Sequence, residues 1–78
     1  MEITISTEYI TLAQFLKKAD IISSGGEAKI FLSTETVLIN GQKDERRGRK
    51  LYDGDIIEVY GKKYTIKGSF HDPSRTSH

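Results

Sequence analysis

The 78-residue chain contains no cysteine, and this absence excludes a whole class of chemistry. Without a thiol there can be no disulfide, no thiolate nucleophile and no metal site built on cysteine. The composition is therefore compatible with a reducing compartment.

Long apolar runs are also missing. The N-terminal stretch "MEITISTEYI" lacks the basic start and the continuous apolar core of a signal peptide. No segment approaches the roughly 20 consecutive apolar residues that a membrane-spanning helix needs. We therefore expect a soluble cytoplasmic protein with no membrane partner.

The motifs of common catalytic sites are absent as well. The serines have no G-x-S-x-G context, and "SSGGEAK" lacks the glycine spacing of a P-loop. Asp53 and Asp55 in "DGD" have the pattern of a turn whose aspartates bond nearby backbone. His71 and His78 have no partner at metal-ligand spacing. We predict a protein without enzymatic activity, metal or cofactor.

The patterns that are present predict a single α+β domain, with two adjacent helices packed on a small, mainly antiparallel sheet. The stretches "EITIS", "TVLI", "IIEVY" and "KYTI" are rich in β-branched or alternating apolar residues, which favours strands. We place the domain at residues 1–67 and predict a flexible C-terminal tail at residues 68–78, where no periodicity is visible.

Both predicted helices have a capping signal at their start. Thr11 and Gln14 have the spacing of a capping box, and Ser24 and Glu27 repeat it. An apolar stripe follows each start. The stripes consist of Leu12, Phe15, Leu16 and Ala19 in the first helix and of Ala28, Phe31 and Leu32 in the second.

Gly25 and Gly26 lie in the first turn of the second predicted helix, where each costs about 1 kcal/mol relative to alanine. Two explanations are open. The glycines could allow this helix start to pack closely against another backbone. Alternatively, they could leave backbone N–H groups open to a phosphate at the positive end of the helix.

Positive charge is concentrated in residues 43–50, "KDERRGRK", which we call the basic segment. Five cations and two anions give it a net charge of +3, whereas the rest of the chain sums to −2. Arginine forks match phosphate oxygens bidentately, and Gly48 allows close backbone approach. Turn signals at Asn40-Gly41 and in "DGD" predict that the segment is a hairpin with Ile39 and Leu51 at its apolar flanks. It could bind nucleic acid or merely be a solvated loop.

The order "LAQFLKKADIISSGGEAKIFLSTETVLINGQ...RRGRKLYDGDIIEV" resembles the RNA-binding domain named after ribosomal small-subunit protein four, the alpha-L motif. The resemblance covers about residues 12–59. The stretches "SGGEAK" and "RRGRKL" resemble its small stand-alone branch, the YaaA-like or YbcJ-like proteins. Many such domains carry a serine-arginine pair at the second helix, and here Gly25 takes the place of that arginine after Ser24.

This resemblance implies a non-catalytic protein that binds structured RNA, with ribosomal RNA or a ribosomal subunit as the expected partner and a role in ribosome association or assembly. We expect a monomer. RNA is favoured over DNA because no helix rich in base-reading side chains is evident. The implied RNA-binding residues are Gly25, Gly26, Lys29, Lys43, Arg46, Arg47, Arg49 and Lys50, with Lys17 and Lys18 as secondary candidates.

Two alternatives belong to other classes. "VLING" followed by "LYDGDIIEVYG" resembles ubiquitin-like sulfur carriers, which act through a C-terminal glycine pair. This chain has Arg75-Thr76-Ser77-His78 at that end instead. The other alternative is a protein-binding adaptor that uses a face or an edge of the sheet.

Overall fold

The computed structural model describes residues 1–68, which form seven strands and two helices. In chain order these are β1 (Glu2–Ile5), β2 (Tyr9–Thr11), α1 (Leu12–Lys18), α2 (Glu27–Thr34), β3 (Val37–Ile39), β4 (Gln42–Lys43), β5 (Lys50–Tyr52), β6 (Ile56–Val59) and β7 (Lys62–Gly68). The last strand thus reaches one residue beyond the predicted domain end. The remainder of the predicted tail, with both histidines, lies outside the described residues.

The strands form two sheets. The larger has the order β1-β7-β6-β3-β4 and is antiparallel except for the parallel pair β1–β7. The smaller consists of β2 and β5, paired antiparallel. The predicted α+β class with a mainly antiparallel sheet is confirmed. The separate two-stranded sheet was not predicted.

Both helices and both sheets contribute to one hydrophobic core. Phe15 of α1 meets Tyr64 of β7 edge to face, with ring centroids 5.4 Å apart. Leu51 of β5 is fully buried in the same cluster, so the small sheet is attached to the core of the large one. The buried side chains are Ile5, Leu12, Phe15, Leu16, Ile22, Ala28, Leu32, Val37, Ile39, Leu51, Ile57, Val59, Tyr64 and Ile66.

The turn signals are confirmed around Asn40 and Asp55. Asn40 and Gly41 both have positive φ, 52° and 86°, as a two-residue hairpin turn between β3 and β4 requires. Asp55 accepts a hydrogen bond from the Tyr52 backbone N–H at 2.8 Å. Asp53 also bonds backbone, but its partner is the distant N–H of Gly68 in β7. Both carboxylates therefore have structural roles.

The basic segment is not a hairpin, contrary to the prediction. β4 pairs with β3 and β5 pairs with β2, so the segment crosses from the large sheet to the small one. The turn signals that bracket it belong to two other turns. Ile39 and Leu51 are buried, as predicted.

The two capping signals have different outcomes. At α1 the complete capping box forms between Thr11 and Gln14, as predicted. At α2 the prediction is wrong: the helix begins at Glu27 after Gly26, and no side chain caps it. Both glycines lie in the preceding turn rather than in the first helical turn, and Ser24 lies outside the helix.

Candidate nucleic-acid interface

The backbone of the basic segment is attached to the start of α1. The Leu12 N–H donates to the Arg49 carbonyl at 2.8 Å, and the Ala13 N–H donates to the Arg47 carbonyl at 2.9 Å. The first N–H groups of a helix have no partner within the helix itself. Here the basic segment supplies their acceptors, so its position relative to α1 is fixed.

Asp44 holds two arginine side chains of this segment. Its carboxylate accepts hydrogen bonds from Nε and one terminal nitrogen of Arg46, at 3.1 and 2.7 Å, and lies 3.1 Å from Nε of Arg49. The Arg46 hydrogen bond is the main cause that lowers the pKa of Asp44 from 3.8 to about 2. Asp44 is therefore ionised at neutral pH and acts as a fixed anchor for both guanidinium groups.

The cations of the basic segment differ in how far they are engaged. Lys43 forms an exposed ion pair with Glu45 at 3.4 Å. The Arg46 side chain is 74% exposed although it bonds Asp44, whereas Arg49 is mostly covered and donates to the Lys50 carbonyl. Within residues 1–68, the Arg47 side chain has no hydrogen-bond or ion-pair partner. Arg46 and Arg47 are thus the most accessible arginines of the basic segment.

A shallow cleft brings Lys29 of α2 together with Arg46 and Arg47. It has a volume of about 360 Å³, and Leu32, Ser33 and Glu45 complete its lining. Lys29 lies more than a dozen positions before the two arginines in the sequence. The fold therefore assembles three cations from two separate elements around one concave surface, with Glu45 as the only acid of the lining.

Gly25 and Gly26 do not line that cleft, and close packing does not explain them. A Cβ added at Gly25 would meet no atom within 4 Å, and one at Gly26 would meet only the Ser24 hydroxyl, at 3.9 Å. Neither glycine has a positive φ. The carboxylate of Glu27 accepts the N–H groups of Ser23 and Ser24, so one acid is already present at this helix start. The packing explanation for the glycine pair is therefore wrong.

The remaining predicted cations lie elsewhere. Lys17 and Lys18 are in the last turn of α1, where the helix dipole favours positive charge. Lys18 lines a second open cleft of about 600 Å³, together with Tyr9. The Lys50 ammonium lies over the Tyr9 ring, 4.9 Å from its centroid.

Sequence reasoning missed the anchoring role of Asp44 and the exposed pair of Tyr9 and Tyr52. The pattern "KLY" contained a signal for Tyr52, because alternation along a strand with Leu51 inside places both of its neighbours outside. Tyr9 could not be found in this way, since neither its own strand β2 nor the pairing of β2 with β5 was predicted.

In residues 1–68, no group of three or more histidine, cysteine, aspartate and glutamate side chains could hold a metal ion. None of the helices in this part of the chain is both long enough and apolar enough to cross a membrane.

Comparison with known proteins shows two similarities. Over 59 residues the chain is 63% identical to the probable ribosome maturation protein RlbA of Bacillus subtilis (strain 168). The matched region covers 76% of this chain and 83% of that protein. Residues 3–67 match the family model of the S4 domain. This match spans both sheets and both helices and agrees with the resemblance carried by residues 12–59. The chain belongs to the S4-domain family.

Proposed function

We propose that this protein binds structured RNA, that its target is ribosomal RNA within a ribosomal subunit, and that it acts in ribosome maturation or association. Membership of the S4-domain family supports RNA binding. The Bacillus subtilis relative is named a probable ribosome maturation protein, which supports the ribosomal role. The same membership removes the support for a ubiquitin-like sulfur carrier.

The cleft lined by Lys29, Arg46 and Arg47 is the observation that carries the proposal. Phosphates of structured RNA present anionic oxygens along a curved surface, and arginine forks bind such oxygens bidentately. Lys29 adds a compact charge from the facing helix. Because Asp44 already orients Arg46, that side chain loses less conformational entropy when it binds a phosphate.

The other predicted residues have supporting parts in this proposal. Arg49 is held by Asp44 and positions the segment, while Lys43 and Lys50 extend the positive surface at its two ends. Gly25 and Gly26 form a second contact region, where the absence of side chains lets the RNA backbone approach the turn before α2. Lys17 and Lys18 are secondary contacts.

In this proposal the protein performs no reaction of its own, needs no cofactor and acts as a monomer in the cytoplasm, where ribosomes mature. Its contribution is to bind and hold an RNA structure.

The test is a binding measurement with purified ribosomal RNA and a charge-matched control. In the test variant, Lys29→Ala and Arg47→Ala are combined. The control combines Lys62→Ala and Lys63→Ala, which remove the same charge from exposed positions of β7 outside the cleft. We expect the test variant to bind roughly 10- to 50-fold more weakly near physiological salt, since two phosphate contacts are lost. The control should remain close to the parent.

The salt dependence provides a second readout. If about four phosphates are contacted, the logarithm of the affinity should fall with the logarithm of the salt concentration at a slope of roughly −3 to −4. The slope of the test variant should be smaller in magnitude by about 2. Equal affinities and slopes for the test variant and the control would contradict a specific role of the cleft.

A protein-binding adaptor is the second candidate, and one apolar groove favours it. The groove has a volume of about 320 Å³ and lies beside α2. Ile30, Phe31 and Tyr60 are exposed or partly exposed in its lining, which also contains Glu27 and Glu35. A partner segment that is both apolar and basic would fit it. We expect Ile30→Ser with Tyr60→Ser to leave binding to protein-free ribosomal RNA unchanged. Loss of subunit binding alone in this variant would identify a protein contact.

A further inference from the structure

The outer face of the small sheet carries two tyrosines that the core does not need. Tyr9 of β2 and Tyr52 of β5 are directly opposite each other in the register, as are the next residues, Ile10 and Leu51. Because side chains alternate along a strand, Ile10 and Leu51 face the core and the tyrosines face outward. Leu51 is fully buried, whereas Tyr9 and Tyr52 are 37% and 43% exposed.

The two rings form a compact aromatic surface. Their centroids are 5.7 Å apart and their planes are inclined by 48°. By contrast, Tyr64 is buried against Phe15 and belongs to the core. Two large aromatic rings side by side on an exposed face can accept a further flat ring by stacking.

Positive charge lies next to this aromatic surface. Lys50 is two positions before Tyr52 on the same face, and its ammonium is 4.9 Å from the Tyr9 ring centroid. Lys50 is also the last residue of the basic segment. On its other side, Tyr9 lines the open cleft of about 600 Å³ that contains Thr11, Gln14 and Lys18.

A ligand that suits this surface must offer a flat ring and an anionic group close together. A nucleotide with an unpaired base does so, since the base can stack on an aromatic side chain while its phosphate meets a lysine. Recognition of RNA commonly uses bases splayed out of loops and bulges in this way. A purely charged surface needs no aromatic pair, and a fully paired duplex exposes no base face.

We propose that Tyr9 and Tyr52 form a subsite for an unpaired base of the bound RNA, with Lys50 and Lys18 contacting the adjoining phosphates. This inference rests on the proposed RNA-binding function and adds a single-stranded element to its target. Lys18 thereby gains a ligand in addition to its favourable position at the end of α1.

The experiment uses the full chain and three probes. These are an oligoriboadenylate too short to fold, an abasic oligomer of equal length, and polyphosphate. Tyr9→Leu combined with Tyr52→Leu keeps apolar side chains on the sheet but removes both rings. We expect this variant to bind the oligoriboadenylate roughly 5- to 50-fold more weakly, since stacking is lost. Its affinities for the abasic oligomer and polyphosphate should stay within about two-fold of the parent.

Tyr9→Phe combined with Tyr52→Phe is the matched control, because it keeps both rings and removes only the hydroxyl groups. It should bind all three probes like the parent. The subsite is excluded if the leucine variant binds the oligoriboadenylate like the parent, or if it loses affinity equally for the probes without bases.

Tyrosine fluorescence of the parent gives an independent measurement, even if the leucine variant fails to fold. The chain has four tyrosines and no tryptophan, so tryptophan emission does not mask the tyrosine signal. The oligoriboadenylate should quench this emission, and the abasic oligomer should quench it much less. Equal quenching by the two would overturn the proposal.

The outcomes separate the two levels of inference. If Lys29→Ala with Arg47→Ala binds ribosomal RNA like its control, the proposed cleft fails, whatever the tyrosine variants do. If that variant loses affinity while the leucine variant binds the oligoriboadenylate normally, only the base subsite fails.

Discussion

The starts of the two helices have the same capping spacing in the sequence and different structures. At α1 the Thr11 hydroxyl accepts the Gln14 N–H at 3.2 Å, and the Gln14 side chain accepts the Thr11 N–H at 2.8 Å. At α2 only the second of these two bonds has a counterpart: the Glu27 carboxylate accepts the Ser24 N–H at 3.1 Å. The Ser24 hydroxyl does not cap the helix. One helix start is fully bonded within the fold, and the other has no side-chain cap.

Tertiary pairing explains the difference. Thr11 is the last residue of β2 and pairs with Lys50 of β5, which holds it in the extended conformation of a helix cap. Gly26 instead has helical φ and ψ of −67° and −21° and belongs to a turn that no strand holds. The start of α1 is therefore the point at which backbone hydrogen bonds attach the basic segment to the helix. The start of α2 has no such attachment, and no side chain caps it.

The largest expected effect on stability comes from removing the buried side chain that attaches the small sheet to the core. Leu51→Ala removes a fully buried side chain of β5, which should lower the free energy of unfolding by about 2–5 kcal/mol. Ile30→Ala on the exposed side of α2 should change it by less than about 0.5 kcal/mol. Urea unfolding followed by circular dichroism measures both. Similar losses would show that Leu51 does not anchor the small sheet to the core.

Substitution of the two cap residues compares the helix starts directly. Thr11→Ala should cost about 1 kcal/mol, because it removes the acceptor of the Gln14 N–H. Ser24→Ala should stay within about 0.5 kcal/mol, since the Ser24 hydroxyl does not cap α2. Thermal or urea unfolding of the two variants decides the matter, and an equal cost at Ser24 would mean that a cap forms there in solution.

Gly25→Ala tests whether the open start of α2 serves a partner. The new Cβ meets no atom within 4 Å and φ is not positive, so we expect about 0.4–1 kcal/mol of added stability from reduced freedom of the unfolded chain. If Gly25 contacts RNA as proposed, RNA affinity should fall several-fold, because the methyl group would occupy the space of that contact.

Gly25→Asp should weaken RNA binding further, since it adds a second acid beside Glu27. Binding that is insensitive to both substitutions would place Gly25 outside the interface.

The smallest expected effect is a pH dependence of stability that comes from Asp44. Its carboxylate holds Arg46 and Arg49 of the basic segment, whose backbone accepts the first N–H groups of α1. Folding lowers the pKa of Asp44 from 3.8 to about 2, so the stabilisation is complete above the unfolded value and is lost as the pH falls through about 2. Because the Arg46 side chain is exposed to solvent, this stabilisation should be smaller than the stability lost in Thr11→Ala.

Urea unfolding across this pH range should show a shallower acid loss for Asp44→Asn than for the parent. Parallel curves for the two proteins would rule out Asp44 as the source.

Local signals predicted much of this fold because each depends on residues close together in the chain. The capping box of α1, three of the four residues of its predicted stripe and the Asn40-Gly41 turn all involve neighbours within a few positions, and all are confirmed. The fourth stripe residue, Ala19, is the partly buried C-cap. The predicted cap of α2 was wrong, although Ser24 and Glu27 have the same spacing as Thr11 and Gln14. A cap also needs an extended residue before the helix, and for α1 a distant strand supplies that conformation.

The candidate site divides in the same way. The positive charge of the basic segment and the unusual glycine pair were visible in the sequence, because composition alone reveals them. The predicted hairpin was not formed, since the partners of β4 and β5 are other strands. The charge excess also did not show that Asp44 holds two of the three arginines in the basic segment.

The sequence by itself determined the α+β class, the position of α1, the family and the concentration of positive charge. These depend on composition, short-range periodicity and the order of motifs. Only the tertiary structure decided that the basic segment bridges two sheets, that Lys29 meets Arg46 and Arg47, and that Tyr9 lies beside Tyr52. Those arrangements depend on pairing and packing between residues far apart in the chain, which no local pattern specifies.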